Sequence, residues 1–341
     1  MDLKKPVASA LNNLGFSDAY AFLRMRTAGS TVAVMLYHRV CPSERQSFPD
    51  YQSLSLEAFE KQMEYFSRNY EILSLDKLIE FFEVGRSLPK KSLVITFDDG
   101  YKDNFLYAYP ILERHNIPAT IFLVTGHVDS DDMFWWDRVS YAIHHTSIKR
   151  MDLDDLGSFW LRTERDKSIV ARAINARLTL LSDDRRTVLL EKLLELCQVE
   201  TRGLGRKLIL TWDEVREMDG KEITFGAHSV SHPSLSTIPV EQARAEIVQS
   251  KKKIEEKLGK EVTAFCYPFG HYNAESICLV KENGFKCAVA VNPYKLVGPR
   301  DNVYCLPRIP GVEDFNELKG YLCGVVGDLQ ARHDSASHSQ L

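Results

Sequence analysis

Residues Ser92–Tyr101 read SLVITFDDGY. A mostly apolar, strand-like run leads directly into two adjacent carboxylates and a glycine. In a parallel α/β barrel the C-terminal ends of the strands open onto one face, where the connecting loops assemble the chemistry. Asp98 and Asp99 would then stand at the mouth of such a barrel. Neighbouring carboxylates there suit a division of labour, one holding a cation and the other moving a proton. Asp-Asp-Gly is equally good turn chemistry, so the flanking sequence has to separate the two.

The flanks alternate short β-rich runs with helical patterns. The runs are Val32–Tyr37, Tyr70–Leu73, Leu93–Phe97, Ala119–Val124, Ile223–Ala227, Val262–Tyr267, Cys287–Val291 and Val303–Leu306. Between them, segments such as Leu56–Phe66 and Val240–Leu258 place apolar residues at helical spacing. Strand–helix alternation implies a mostly parallel sheet. Seven or eight such units in 341 residues predict an α/β fold, a barrel closed by parallel strands more than an open doubly wound sheet. The rhythm breaks from about Trp136 to Arg206, where helical patterns such as Arg185–Cys197 replace strands. That stretch predicts a helical insertion, either a lid over the site or a helical pack with no substrate contact. The barrel is expected over residues 32–330, preceded by a partly amphipathic helical segment over 1–31. The Ser- and His-rich tail over 331–341 is expected to be disordered.

Lys and Arg number 43 against 47 Asp and Glu, a net charge of −4, so no basic excess points to nucleic acid. No run is long and apolar enough to be a transmembrane segment. The opening MDLKKPVASALNNLGFSDAY lacks the apolar stretch of a signal peptide, being interrupted by Asn12, Asn13 and Asp18. The expected location is the cytoplasm, with peripheral attachment to the inner membrane face as a variant. Seven scattered cysteines without a CxxC spacing suggest neither a disulfide framework nor a structural zinc site.

Other strand ends carry polar residues too. Glu222–Ser236, EITFGAHSVSHPSLS, ends a strand in a loop bearing His228 and His232. Imidazoles are preferred nitrogen ligands for zinc and related ions. Two surface histidines would be unremarkable alone. Joined to a strand-end aspartate they make a three-ligand site with positions left for water and substrate. Val262–Asn273, VTAFCYPFGHYN, ends in a tight loop at Pro268, Phe269 and Gly270 that could present a backbone N–H. Val32–Val40, VAVMLYHRV, brings His38 to the end of the first strand, and Val303–Gly311, VYCLPRIPG, brings Arg308 to the end of the last. Trp135 and Trp136, in FWWDR, could wall a sugar or pack the insertion. Tyr101, closing the first motif, joins the candidate substrate contacts.

TFDDG, H-x-x-x-H-P and a strand-end P-F-G, in this order, resemble the polysaccharide deacetylase family (carbohydrate esterase family four). That family includes chitin, chitooligosaccharide and peptidoglycan deacetylases. The resemblance spans roughly Val32 to Gly311, apart from the insertion. It implies a distorted parallel (β/α) barrel of about seven strands, a divalent metal and hydrolysis of an N-acetyl amide on an amino sugar, free, nucleotide-linked or lipid-linked. By position it implies Asp98 as base, Asp99, His228 and His232 as metal ligands, and the backbone at Phe269 as an oxyanion contact. Two imidazoles favour zinc.

Two departures stand out. The arginine that usually opens the third motif and orients the base is replaced by Cys266, and the last strand lacks the usual acid histidine. His38 is the leading proton donor in its place, with Asp98 as the alternative. Arg308 is the candidate to pair with Asp98 and keep it ionised. YHRV, FWWDR and LPRI resemble a branch associated with bacterial surface-polysaccharide and lipopolysaccharide biosynthesis. A deformylase or other amide deacylase on the same scaffold is one alternative. A metal-free carbohydrate-binding protein is another, disfavoured by the intact Asp98, Asp99, His228 and His232.

Overall fold

The computed structural model describes residues 31–42, 53–153 and 156–324. The expected N-terminal helical segment and the tail lie outside these residues. Strands β1 (Val32–Tyr37), β2 (Arg39–Cys41) and β3 (Ser53–Ser55) are followed by helix α1 (Leu56–Asn69), β4 (Glu71–Leu73), α2 (Leu75–Glu83), β5 (Ser92–Phe97), α3 (Tyr109–His115) and β6 (Ala119–Leu123). After β6 the chain forms α4 (Trp135–His145), the hairpin β7 (Arg150–Leu153) and β8 (Gly157–Trp160), α5 (Glu164–Thr179) and α6 (Asp183–Cys197). It then returns through α7 (Trp212–Met218), β9 (Ile223–Ala227), α8 (Val240–Leu258), β10 (Ala264–Cys266), α9 (Ala274–Glu282), β11 (Cys287–Val291), β12 (Leu306–Pro310) and α10 (Phe315–Leu322).

Seven strands close a barrel in the order β1-β5-β6-β9-β10-β11-β12, with β1 pairing both β5 and β12. Every pairing around the ring is parallel. β4 adds to the first half of β5, where Glu71 meets Ser92, and β6 takes the second half, from Ile95 opposite Ala119. The helices have ordinary reasons to start where they do. Ser55 and Ser74 accept backbone N–H bonds at the starts of α1 and α2, and Thr211 forms a capping box with Glu214 at α7.

Side chains alternate across each strand, so residues two apart share a face. One face of the barrel strands, with Met35, Tyr37, Ile95, Phe97, Ile121, Phe225, Phe265 and Ile309, belongs to the large core cluster that also takes in Phe59, Met63 and Phe66 of α1 and Ile247 of α8. The other face fills the barrel with Val32, Val34, Val94, Phe122, Ala264, Cys266, Val289 and Leu306. Gly226 is required opposite Phe122, because a Cβ there would stand 2.5 Å from the phenyl ring. The inward parity continues upward, from Val94 through Thr96 to Asp98 and from Leu306 to Arg308.

Two expectations need correction. The last strand is Leu306–Pro310, and Val303–Cys305 forms a 3-10 turn capped by Asn302. Two prolines hide this strand from a propensity reading. Both fit, because β1 pairs with β12 only from Ile309 onward and β11 pairs only up to Arg308. Pro307 and Pro310 therefore each fall where one neighbour is absent. Arg308 consequently sits inside the strand rather than at its end. The insertion is also not purely helical, since β7 and β8 pair antiparallel. Strands of four residues, β7 alternating and β8 mostly exposed, are too short to register as a periodic signal. The insertion has its own apolar cluster, including Val139, Ile143, Leu153, Ile174, Leu178 and Leu193.

Candidate active site

The loop after β5 sets two carboxylates among different partners. Asp98 N–H still donates to Tyr37 O at 2.9 Å, so the residue continues the β1–β5 pairing and points inward. Asp99 then leaves the strand in a left-handed conformation, φ +73, and Gly100 follows at φ +72. A Cβ on Gly100 would lie 2.8 Å from Leu123 Cδ2, so both backbone and space demand glycine. Ser229, His232 and Phe269 also have positive φ. Left-handed non-glycine residues gathered at one barrel mouth mark strain held in place by the surrounding packing.

Asp98 is 3% exposed and gripped by Arg308, which is fully buried. Arg308 Nη1 donates to Oδ1 at 2.7 Å and Nη2 to Oδ2 at 2.6 Å, a bidentate charge-assisted pair. The guanidinium also donates to Thr96 Oγ1 at 3.0 Å, to Cys266 Sγ at 3.0 Å and to Ala290 O at 3.3 Å. Burial alone would raise the Asp98 pKa, but Arg308 outweighs it and holds the carboxyl well below the usual range. The pair in turn raises Arg308 above its ordinary value against the opposing effect of burial. Cys266 stands where a barrel-strand arginine was expected, and its thiol donates to Asp98 Oδ2 at 3.4 Å.

Asp99 faces the two histidines. Its Oδ1 lies 3.5 Å from His228 Nε2 and 3.5 Å from His232 Nε2, and the two Nε2 atoms are 3.1 Å apart. All three residues are buried. His228 Nδ1 lies 2.8 Å from the Cys266 carbonyl, which can only accept, so that nitrogen carries the proton and Nε2 turns to the cluster. The loop carrying both rings is held from outside. Glu246 on α8 accepts Val230 N–H at 2.7 Å and Ser231 N–H at 2.9 Å, and Ser229 Oγ accepts His232 N–H at 3.0 Å. Glu246 was not singled out from sequence, because nothing local ties it to a loop fifteen residues away.

The cluster fits a divalent metal. Ligands at ~2.0–2.2 Å in tetrahedral array stand about 3.4 Å apart, close to the observed triangle. Asp99 Oδ1 is buried without a hydrogen-bond partner, a vacancy expected of an atom that serves a cation. Burial and then His228 push His232 down to about 3, leaving the ring neutral and able to coordinate. Burial would raise Asp99, but the imidazoles of His228 and His232 beside it hold its carboxyl below the ordinary value.

A narrow cleft opens over this centre. His38, Asp98, Asp99, His228, His232, Trp135, Trp136, Phe269 and Gly270 all lie along it, with Val291 and, from the insertion, Asn175 and Thr179. The Trp136 ring lies 4.9 Å from that of His232, and Phe269 packs edge-on to His232 at 4.5 Å. Tyr101 and Pro268 are not on the cleft wall. Tyr101 is fully buried; its hydroxyl donates to Asp137 at 3.0 Å and accepts from Trp136 Nε1 at 2.8 Å, so it supports the wall from behind.

A profile of the family described as polysaccharide deacetylase matches residues 85–288, more than half of the chain. Poly-beta-1,6-N-acetyl-D-glucosamine N-deacetylase of Staphylococcus aureus is 24% identical over 262 residues, 75% of this chain and 67% of that protein. Among solved structures, the Streptococcus pyogenes deacetylase PplD, in complex with acetate, superposes with a TM-score of 0.57 at 18% identity, covering 85% of this chain and 98% of that one. IcaB from Ammonifex degensii gives a TM-score of 0.57 at 16% identity, covering 87% and 98%. The profile match stops short of β1 and β12, so His38 and Arg308 lie outside it.

Proposed function

The chain belongs to the polysaccharide deacetylase family, and from that premise we propose that it removes N-acetyl groups from amino sugars of a surface polysaccharide or its precursor. Asp99, His228 and His232 would hold the divalent ion, with zinc favoured by the two imidazoles. The observation that carries this reading is the buried, partnerless Asp99 Oδ1 facing two imidazole nitrogens, directly beside an aspartate clamped by arginine.

An amide is a weak electrophile with a poor leaving group. A divalent ion, when bound, supplies Lewis-acid activation of the carbonyl and of the attacking water. Asp98 accepts the water's proton. Oδ1 takes one bond from Arg308 and keeps a second lone pair free for this purpose. Arg308 keeps Asp98 ionised and fixed in orientation, so the base needs no reorganisation when the proton moves. Asp98, protonated in the first step, can return that proton to the departing amine. His38, on the same cleft, is the second group placed to protonate the amine. The backbone at Phe269 is the proposed oxyanion contact. Trp136 and Phe269 exclude water on one side of the reacting centre.

The test is incubation of zinc-loaded protein with a panel of N-acetylated oligosaccharides, following acetate and new free amine together by mass. Equal release of both supports the reading. Formate released from N-formyl sugars, with none released from N-acetyl sugars, would replace it with deformylation.

A further inference from the structure

The insertion contributes to the cleft through α4 and α5, and two of its polar atoms there are unused. Asn175 is 3% exposed and lines the cleft. Its Nδ2 donates to the Trp136 carbonyl at 3.2 Å and to Ser140 Oγ at 3.3 Å. A backbone carbonyl only accepts, so the amide orientation is settled by chemistry. The opposite atom, Oδ1, is buried with no hydrogen-bond partner. Thr179 is not its donor, because that hydroxyl donates to the Asn175 backbone carbonyl at 2.9 Å. Trp135, on the same cleft, has the complementary deficit: its Nε1 is buried with no acceptor. The Arg186 guanidinium packs on the Trp135 ring at 4.9 Å and helps hold it in place.

Buried polar atoms without partners are uncommon in folded proteins and call for an explanation. Here an acceptor and a donor stand unpaired on neighbouring insertion helices, beside a catalytic cluster. A hydroxyl answers both, donating to an amide oxygen and accepting from an indole N–H. We propose that the insertion builds a hydroxyl-recognition subsite, in which Asn175 Oδ1 accepts from, and Trp135 Nε1 donates to, ring hydroxyls of the amino sugar whose acetamide meets the Asp98–Asp99 pair. The subsite rests on the amino-sugar reading above and deepens it. It makes the insertion a specificity element: the barrel supplies the hydrolysis, and the insertion reads the sugar.

The test couples protein and substrate. The full-length, zinc-loaded protein is titrated calorimetrically with N-acetylglucosamine tetramer and with its 3-deoxy and 6-deoxy analogues. Acetate release is measured on the same set, with 4-nitrophenyl acetate as a substrate lacking hydroxyls. Asn175→Ala is expected to weaken binding of the parent tetramer about 3- to 10-fold, the range of one neutral hydrogen bond. Against one deoxy analogue that loss should vanish, because the hydroxyl it depends on is already missing. Trp135→Phe keeps the aromatic wall and drops only the N–H, so it provides an independent arm if Asn175→Ala folds poorly. In both variants kcat/KM on the sugar should fall further than on the ester by the same factor.

Equal losses on parent, deoxy and ester substrates would overturn the subsite and leave these residues as packing. Acetate release without coupling to any hydroxyl would sink the subsite and spare the deacetylase reading. Hydroxyl-dependent binding without acetate release would do the reverse. Neither binding nor release would remove both.

Discussion

Arg308→Met tests the ion pair that holds Asp98, the proposed base. The substitution keeps an unbranched side chain of similar length and removes a fully buried guanidinium whose two shortest bonds, 2.6 and 2.7 Å, go to Asp98. Charge-assisted bonds contribute about 1.5–3 kcal/mol each, and stranding one partner of a buried pair typically costs about 3–5 kcal/mol. Asp98 has an escape, because it can protonate. Taking a carboxyl with an unfolded pKa of about 3.9 to its neutral form at pH 7 costs about 4 kcal/mol, which caps the loss. In Asp98→Asn/Arg308→Met no carboxylate is stranded, so the double variant should be more stable than the sum of the single losses implies, by about 3 kcal/mol. Urea denaturation of the chelated proteins measures this. The pH dependence has a definite sign. In the wild type the folded pKa of Asp98 is depressed, so its contribution is present above the unfolded value of about 3.9 and fades only as pH falls through the folded value. In Arg308→Met the folded pKa is raised, so the deficit should be largest at neutral pH and shrink toward about pH 4. Additive single losses, or a deficit that does not change between pH 4 and 7, would refute the reasoning.

Three further outcomes are expected. Asp98→Asn should keep its metal content and lose turnover by about 10²–10⁴-fold, read by metal analysis alongside acetate release; normal turnover would remove Asp98 as base. His38→Ala should recover partly on substrates with activated amides, since a better leaving amine needs less protonation, whereas Asp98→Asn should not; equal damage on both substrate types would leave Asp98 to carry the proton both ways. Glu246→Ala frees the loop bearing His228 and His232, so metal affinity should fall about 10–100-fold with little change in circular dichroism; unchanged affinity would mean that the loop holds itself.

Much of the barrel was legible because its strands are short, apolar and evenly spaced, and because Asp98, His228 and Arg308 lie on the inward parity of their strands. Asp99, His228 and His232 were legible as a set from residue type and strand-end position. What escaped has physical reasons. β12 was misplaced because Pro307 and Pro310 read as breaks, and their tolerance depends on where β1 and β11 begin and end. The role of Tyr101 depends on its hydroxyl bonds to Asp137 and Trp136, partners some 35 residues away. Asn175 gave no local signal at all; its significance lies in which end of one amide is satisfied. Cys266 and Arg308 were the most informative departure. The cation beside Asp98 comes from β12 in place of β10, and the Cys266 thiol contacts both members of the pair.

The central claim is that Asp99, His228 and His232 together hold one divalent ion next to Asp98. Calorimetric titration of zinc into chelator-stripped protein tests it most directly, with Asp99→Ala and His232→Ala run in parallel. One equivalent should bind tightly to the wild type and to Asp98→Asn, and weakly or not at all to the two ligand variants. Absence of stoichiometric binding to the wild type, or binding undiminished in Asp99→Ala and His232→Ala, would contradict the account.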